Sequence, residues 1–182
     1  EHLIYGDTEF CTLAQVEPKL MERTLTCNGM SKAYCMTGWR IGFAGGAEPL
    51  IRAMAKLQSQ STFHPSTISQ HAALAGLTGD RNFLMEHLQA YRERRDTVVQ
   101  QLNFIDGIDC GLPDGAFYVF PSCVGLFSHL TPDGRRLSND TDVATYFLDT
   151  ARVTVVPGEA FGFPGHFRIS YATSVESLVE AC

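Results

Sequence analysis

"CNGMSKAYCMTGWRIGFAGG", residues 27–46, places Lys32 and Arg40 in an otherwise weakly polar and glycine-rich run. The apolar side chains in and beside this run are typical of a buried strand and turn: Leu25, Met30, Met36, Trp39, Ile41 and Phe43. A buried lysine costs free energy unless its charge is neutralised or its amine is used. The stretch therefore predicts that the Lys32 amine either has its charge neutralised or takes part in chemistry.

The composition is that of a globular protein, with 45% hydrophobic and 19% charged residues among 182. This length allows one domain or parts of two. The net charge of -6 argues against nucleic acid or an anionic membrane as the main partner. No run of about eighteen apolar residues is present, so no membrane-spanning helix is expected.

The six cysteines show no C-x-x-C motif and no metal-like spacing with the six histidines. We therefore expect free buried thiols in a reducing cytoplasm and no metal site. The chain begins at Glu1 in a strand-like run and ends at Cys182 inside an amphipathic helix pattern. Both ends lead us to expect a fragment of a longer protein.

Turn residues and hydrophobic periodicity predict an α/β portion at 1–65, connecting helices at 66–103 and a smaller α+β unit at 104–182. The first portion contains predicted strands over 24–32 and 39–46, followed by a helix that begins at Glu48-Pro49. Ser66 is placed to cap a second helix that Gly79 ends, and Asp80 a third, longer one. In that longer helix, the run "RERRD" at 92–96 predicts a solvated face.

The last portion is predicted to alternate strands with one main helix. "PDGAFYVFP" (113–121) predicts a turn and a strand, and a helix is expected to begin at Asp140 or Thr141. "RVTVVPGEAFG" (152–162) predicts a strand and a loop, and "FRISYA" (167–172) a further strand. Along this last strand, a period of two places Phe167, Ile169 and Tyr171 on one face and Arg168 and Ser170 on the other.

The surroundings of Lys32 match neither common phosphate-binding motif, since "MSKA" breaks the Walker pattern and "GFAGG" breaks G-x-G-x-x-G. A desolvated lysine near positive charge forms an imine with a carbonyl, and an arginine clamps a phosphate with two hydrogen bonds. Gly38 and Gly42 allow tight turns that let Lys32 and Arg40 converge on one ligand. One cofactor needs both an aldehyde-capturing amine and a phosphate cradle, namely pyridoxal 5'-phosphate (PLP).

The lysine segment resembles the cofactor-lysine signature of the class I aminotransferases of PLP fold type I. The resemblance lies in the pattern S-K, five residues, then G-x-R-x-G, and in the run "MTGWR". "EHLIYGD", "DGAFYVFP" and "FRISYATS" extend the resemblance along the whole chain, and aspartate aminotransferase is the nearest likeness. It implies the C-terminal part of the large PLP-binding domain followed by the α+β small domain. It also implies that further active-site groups precede Glu1, so that the fragment alone is inactive.

The resemblance implies a role for each candidate residue. Lys32 would be the Schiff-base lysine and the proton shuttle, Arg40 would bind the cofactor phosphate with help from Ser31, and Arg168 would grip the substrate α-carboxylate. The implied reaction moves an amino group between an amino acid, aspartate first, and a 2-oxo acid, 2-oxoglutarate first. The full-length enzyme would be a homodimer.

Several alternatives remain open at this point. A β-lyase or another α-amino-acid PLP enzyme of the same fold would show the same Lys32 and Arg40, and so would a non-catalytic PLP sensor fused to a DNA-binding domain. From its strand alone, Arg168 needs an acidic partner, supplied either by the protein or by a ligand. Lys32 and Arg40 could instead pair with buried carboxylates, although no acidic residue lies between Glu22 and Glu48.

Overall fold

The computed structural model describes residues 1–182, and its first sheet is a two-stranded antiparallel hairpin. Strand β1 (Thr26–Gly29) pairs with β2 (Gly42–Gly45) so that Gly29 lies opposite Gly42. The strands approach closely there, because a Cβ atom on Gly42 would stand 3.0 Å from the backbone oxygen of Asn28. A glycine at position 42 therefore permits this pairing.

Both strands are shorter than the sequence predicts. The predicted second strand over 39–46 is wrong at its start, because Thr37–Trp39 forms a 3₁₀ helix that ends at Arg40 in the left-handed region, with φ 49°. A residue with left-handed backbone angles cannot continue a β-ladder. The predicted first strand likewise ends early, since the chain turns at 31–34.

Helices occupy most of the chain that follows β2. Two single-turn helices, α1 (Leu13–Val16) and α2 (Pro18–Met21), precede the hairpin. Helix α3 (Glu48–Ser61) begins at the predicted Glu48-Pro49, and α4 (Thr67–Thr78) begins after Ser66 and ends at Gly79, as predicted. The Ser66 side chain, however, makes no capping hydrogen bond.

The apolar face expected around the hairpin is largely exposed. Of the side chains predicted to be buried there, Met30 is fully buried, whereas Trp39 is 43% and Phe43 47% exposed. Leu57 on α3 is 72% exposed. Most of these side chains are therefore not buried within this chain, in which the two-stranded hairpin has no third strand or second sheet to cover its faces. Their burial in the whole protein stays a prediction.

The long helix α5 (Asn82–Leu102) places Val98 and Leu102 in the core, as its periodicity predicts. The expectation of a solvated charge run is wrong for Arg95, which is only 8% exposed. The Arg95 guanidinium donates to the carbonyl of Pro113 at 3.1 Å, forms an ion pair with Asp96 at 2.8 Å, and lies 4.5 Å from the Tyr5 ring centroid. Its charge is thus satisfied inside the protein.

The chain forms two compact units, and the main boundary between them lies within α5. Unit 1 comprises Glu1–His2 and Asp7–Glu86, and unit 2 comprises Leu3–Gly6 and His87–Cys182. The three-part division at 65 and 103 stays a prediction about the domains of the whole protein. None of the helices combines the length and the apolar character that crossing a lipid bilayer requires.

Unit 2 is built on a three-stranded antiparallel sheet in the order β3-β5-β4. Strand β5 (Phe167–Ser170) lies between β3 (Tyr118–Val119) and β4 (Val156–Pro157). Helices α6 (Asp140–Ala151) and α7 (Val175–Ala181) complete the unit. Its core collects apolar side chains from α5, the sheet and both helices, including Val98, Val119, Val143, Phe167, Tyr171 and Leu178.

A polar network ties the segment Leu3–Gly6 into unit 2. The backbone N–H of Tyr5 donates to the backbone carbonyl of Asp114 at 2.8 Å, and the N–H of Ala116 donates to the carbonyl of Leu3 at 2.8 Å. The hydroxyls of Tyr5 and Tyr171 both donate to the carbonyl of Ala116, at 2.5 and 3.0 Å. These bonds satisfy two tyrosine hydroxyls that are otherwise removed from water.

All six cysteines are free thiols, but they are not all buried as the sequence predicts. Cys11, Cys27 and Cys35 are exposed, while Cys110 and Cys123 lie in the core of unit 2. Burial, helped by the nearby Asp109 carboxylate, raises the pKa of Cys110 to about 11. Burial, helped by Asp140, likewise raises the pKa of Cys123 to about 11.

We therefore expect the whole protein to lose stability between about pH 9 and pH 11. The unfolded chain releases these thiol protons from about pH 9, whereas the folded chain retains them, so the free energy of unfolding falls as the pH rises. The loss should be roughly 1–2 kcal/mol for each thiol. Melting curves at pH 8 and pH 10.5 should show a smaller alkaline loss in Cys123→Ala than in wild type, with exposed Cys27→Ala as the control. An equal loss in Cys123→Ala and wild type would contradict the assignment.

Candidate active site

The lysine loop, residues 30–41, connects the two strands of the hairpin and carries Lys32 and Arg40. The N–H of Met30 donates to the carbonyl of Ile41 at 3.3 Å and closes the loop at its base. Inside the loop, the N–H of Met36 donates to the carbonyl of Met30 at 3.3 Å. The hairpin pairing therefore brings residues that are eight positions apart onto one closed segment.

Two side chains anchor the lysine loop to helix α4. Met30 is fully buried, and both Met30 and Tyr34 lie against Gly76. A Cβ atom on Gly76 would stand 3.1 Å from the Cε of Met30 and 3.4 Å from the Cδ1 of Tyr34. Tyr34 also makes edge-on ring contacts with His2 and Phe83, at centroid distances of 5.8 and 6.0 Å.

Lys32 lies in the turn that directly follows this anchor. Its backbone carbonyl accepts from the N–H of Cys35 at 3.1 Å. The Lys32 side chain is exposed, so the sequence-based expectation of a buried lysine is wrong for this chain. Ser31, beside it in the turn, is half-buried. The loop therefore presents an accessible amine next to a hydroxyl.

Arg40 ends the 3₁₀ helix of the loop in a strained backbone conformation. Its φ of 49° and ψ of 48° fall in the left-handed region, which is unfavourable for a side chain with a Cβ. Its Nη1 donates to the carbonyl of Thr37 at 2.8 Å. That single hydrogen bond fixes the guanidinium near the backbone and leaves other N–H donors of the exposed side chain for a ligand.

Gly38 and Gly42, the two glycines of the motif, differ in the space around them. A Cβ atom on Gly42 would crowd the partner strand, whereas one on Gly38 would meet nothing within 4 Å. Gly42 therefore accommodates a close approach of the partner strand, and Gly38 lies inside the 3₁₀ helix Thr37–Trp39. The space beside Gly38 is open.

Arg168 lies on the middle strand of unit 2. Its neighbours Phe167 and Tyr171 are fully buried, and Ile169 packs against the same core. The alternation predicted from the sequence is confirmed, since Arg168 is half-buried and Ser170 exposed on the opposite face.

The guanidinium of Arg168 has no acidic partner in its unit and makes no side-chain hydrogen bond there. Its Cζ lies 4.6 Å from the ring centroid of Tyr118 and 4.7 Å from that of Phe161. The strand pattern leaves two kinds of acidic partner open for Arg168, a protein carboxylate or a ligand, and unit 2 itself supplies no carboxylate. Aromatic faces attract the cation without using its N–H donors.

Tyr118 and Phe161 are residues that the sequence analysis misses. For Tyr118 a signal exists, because it pairs with Ser170 across the sheet and so shares the face of Arg168. Phe161 ends a short 3₁₀ helix, Gly158–Phe161. No periodicity in the sequence predicts this helix.

The donors of each unit define the ligand chemistry that it can accept. The lysine loop combines a primary amine, a hydroxyl and a guanidinium, which suit an aldehyde and a phosphate. Unit 2 offers a guanidinium without a counter-ion, which suits a carboxylate.

The whole chain, residues 1–182, matches the family described as aminotransferase class I and II. An aspartate aminotransferase of Rhizobium meliloti is 55% identical over 181 residues, covering 100% of this chain and 44% of that protein. An aspartate/prephenate aminotransferase of Cereibacter sphaeroides is 51% identical, covering 100% of this chain and 46% of that protein. This chain thus spans somewhat less than half the length of these relatives.

A solved structure shows the same fold. The crystal structure of the aspartate aminotransferase from Rhizobium meliloti superposes with a TM-score of 0.96 at 54% identity, over 99% of this chain and 45% of that chain. The predicted fold class, that of the PLP-dependent transferases of fold type I, is confirmed by this match.

The strained backbone of Arg40 generates a prediction about stability. We expect Arg40→Gly to be more stable than Arg40→Ala by about 1 kcal/mol, because glycine adopts left-handed angles without a steric penalty. Denaturant unfolding of the two variants of the whole protein gives this difference directly, since both lack the guanidinium. An alanine variant at least as stable as the glycine variant would show that position 40 is not held in the left-handed region.

Proposed function

This chain belongs to the class I and II aminotransferases, and on that premise we propose that the whole protein moves an amino group between an amino acid and a 2-oxo acid. Aspartate and 2-oxoglutarate are the proposed pair. The lysine loop carries the proposal, because it presents the Lys32 amine and the Arg40 guanidinium together on one closed segment. The identity of 55% to an aspartate aminotransferase supports the choice of aspartate.

The donors of the lysine loop fit PLP. The amine of Lys32 suits the aldehyde of the cofactor, and the guanidinium of Arg40 suits its phosphate, with the Ser31 hydroxyl as a further donor. When bound, PLP supplies an electron sink for the bond that breaks at the substrate α-carbon. The exposure of Lys32 and Arg40 leaves both side chains accessible to such a ligand.

Lys32 is proposed to do two things in the reaction. Its Nζ would hold the cofactor through the aldehyde carbon until the substrate amine displaces it, and the freed amine would then carry the proton away from the substrate α-carbon. The turn after Met30 supports this role, since the buried Met30 side chain holds the loop while the Lys32 side chain is exposed.

Arg168 is proposed to bind the α-carboxylate of the substrate. A half-buried guanidinium without a protein carboxylate is well suited to an acidic ligand, since its planar N–H donors match the two oxygens of a carboxylate. Holding that group also orients the α-C–H bond for proton removal. The distal carboxylate of aspartate is left to other parts of the whole protein.

The name of the relative from Cereibacter sphaeroides favours a second amino acceptor. That protein, 51% identical to this chain, is called an aspartate/prephenate aminotransferase. We therefore propose prephenate as an alternative 2-oxo acid to 2-oxoglutarate. A homodimer is the proposed state of the whole protein.

An assay of the whole protein with several substrates tests the proposed function. Amino transfer from aspartate to 2-oxoglutarate or prephenate is the expected result. Cleavage of cystathionine without amino transfer would indicate a β-lyase, and cofactor binding without either reaction would indicate a PLP sensor. Both of these outcomes would contradict the proposal.

Replacing Lys32 with alanine is expected to abolish turnover and leave the fold intact. The amine is needed for both holding the cofactor and moving the α-proton, whereas the exposed side chain contributes little to packing. Steady-state rates and melting curves of Lys32→Ala should be compared with those of Lys56→Ala, an exposed lysine on α3. More than trace activity in Lys32→Ala, measured without added amines, would refute the role.

Replacing Arg168 with lysine is expected to raise KM for amino-acid and 2-oxo-acid substrates roughly ten- to a hundredfold, with a smaller fall in kcat. Lysine keeps the charge but loses the paired hydrogen bonds of the guanidinium. The melting temperature should hardly change, because no ion pair is broken. The exposed Arg136→Lys serves as the control, and an unchanged KM together with a large loss of stability in Arg168→Lys would remove Arg168 from the site.

A further inference from the structure

Two aromatic rings, Tyr118 and Phe161, lie against the guanidinium of Arg168, and we call this pair the aromatic bracket. The centroid distances from Cζ of Arg168 are 4.6 and 4.7 Å, both within the range of a cation–π contact. No carboxylate of unit 2 shares this position. The bracket is therefore what unit 2 provides to hold the cation.

The register of the sheet places the first ring. Tyr118 on β3 pairs with Ser170 on β5, two positions along the strand from Arg168. Residues two apart share a face, so Tyr118 and Arg168 are diagonal neighbours on the same side of the sheet. The adjacent Val119 is buried in the core, which fixes the direction of Tyr118.

Backbone contacts place the second ring. Phe161 ends the 3₁₀ helix that begins at Gly158, where the N–H donates to the carbonyl of His166 at 2.7 Å and the carbonyl accepts from Phe163 at 3.0 Å. A Cβ atom on Gly158 would stand 2.2 Å from the oxygen of Phe163, so only glycine fits. The segment can therefore hold one tight conformation.

A buried carboxylate secures the same 3₁₀ helix from α6. Asp140 is 1% exposed, and its Oδ2 accepts from the backbone N–H of Glu159 at 2.8 Å. The hydroxyl of Thr141 reaches the carboxylate of Glu159 at 3.4 Å. Phe161 thus stands on a short helix whose first two residues, Gly158 and Glu159, are held by residues distant in the chain or directly before β5.

The bracket changes what the arginine can offer a ligand. An arginine on a flexible stem loses rotational freedom when it binds, and a guanidinium that is already held avoids this loss. A ring attracts the charge through its face and accepts no N–H bond, so the in-plane donors stay available. The held guanidinium is therefore ready for a carboxylate that approaches in its plane.

We propose that Tyr118 and Phe161 are positioning residues that hold the Arg168 guanidinium ready for a carboxylate ligand. The inference rests on the proposed function for the identity of that ligand, the α-carboxylate of the substrate. The rings act through Arg168 and need not touch the reacting atoms. They contribute equally to the bound ground state and the transition state, so their loss raises KM and leaves kcat nearly unchanged.

The test compares ring-removing and ring-keeping variants of the whole protein with its cofactor. Tyr118→Leu and Phe161→Leu should each raise KM for aspartate about three- to thirtyfold, with kcat changed less than twofold. Tyr118→Phe and Phe161→Tyr keep the rings and should stay close to wild type. Phe163→Leu is the matched control, because the Phe163 ring contacts Phe120 and His166 rather than Arg168.

A binding measurement separates this inference from the proposed function. Glutarate is an unreactive dicarboxylate, and calorimetric titration gives its dissociation constant whether or not the protein transaminates. The ring-removing variants should weaken glutarate binding by the same factor as KM, with unchanged melting temperatures. If wild type binds glutarate but transfers no amino group, the proposed function fails, and a loss of affinity in the ring-removing variants still supports the bracket.

Three outcomes would overturn the inference. One is a loss of glutarate affinity in Tyr118→Leu and Phe161→Leu no larger than in Phe163→Leu. Another is an equal loss in the ring-keeping variants, which would assign the effect to packing rather than to the aromatic faces. The third is a wild-type protein that binds no glutarate while transaminating normally.

Discussion

The alternation of side chains along β5 is the constraint on which the arrangement of unit 2 depends. Phe167 and Tyr171 are fully buried, and a slip of one residue would move Arg168 into their place in the core. The strand is paired on both sides, with Ile169 opposite Val119 and Arg168 opposite Val156. Two ladders therefore fix the same register, and the charged side chain has one face available to it.

In unit 1, strand pairing and one buried side chain position the lysine loop. The lysine loop carries the exposed side chains of Lys32 and Arg40, and it leaves and rejoins a hairpin whose strands approach closely at Gly42. Met30 is the one fully buried residue of the loop, and it packs on α4 at Gly76. A small buried anchor next to an exposed amine allows a loop residue to be placed by a rigid scaffold.

Each unit holds an arginine in place by contacts other than an ion pair. In unit 2 the cation is held by the faces of Tyr118 and Phe161, which is favourable without neutralising it. In unit 1 the left-handed backbone of Arg40 and the hydrogen bond from its guanidinium to the carbonyl of Thr37 hold that cation in place. Backbone strain of this kind clusters at functional sites, which favours the proposed role of Arg40.

The sequence by itself determined the family, the helices α3 to α5 and the side of β5 on which Arg168 lies. The helices and the face of Arg168 follow from local spacing, which needs no knowledge of distant residues, whereas the family follows from the resemblance of the lysine motif. Burial was harder to predict, since periodicity shows which side chains are apolar and share a face, but not which other element packs against that face. Trp39 and Phe43 are therefore exposed, and Arg95 is buried, against expectation.

Only the tertiary structure decided what surrounds the candidate groups. The left-handed angles of Arg40, the closure of the lysine loop and the anchoring of Met30 on Gly76 depend on strand pairing and helix packing. The ring of Phe161 reaches Arg168 because a 3₁₀ helix tied by long-range hydrogen bonds carries it there. Contacts between residues far apart in the chain arise from the packing of whole elements, and no local pattern in the sequence encodes them.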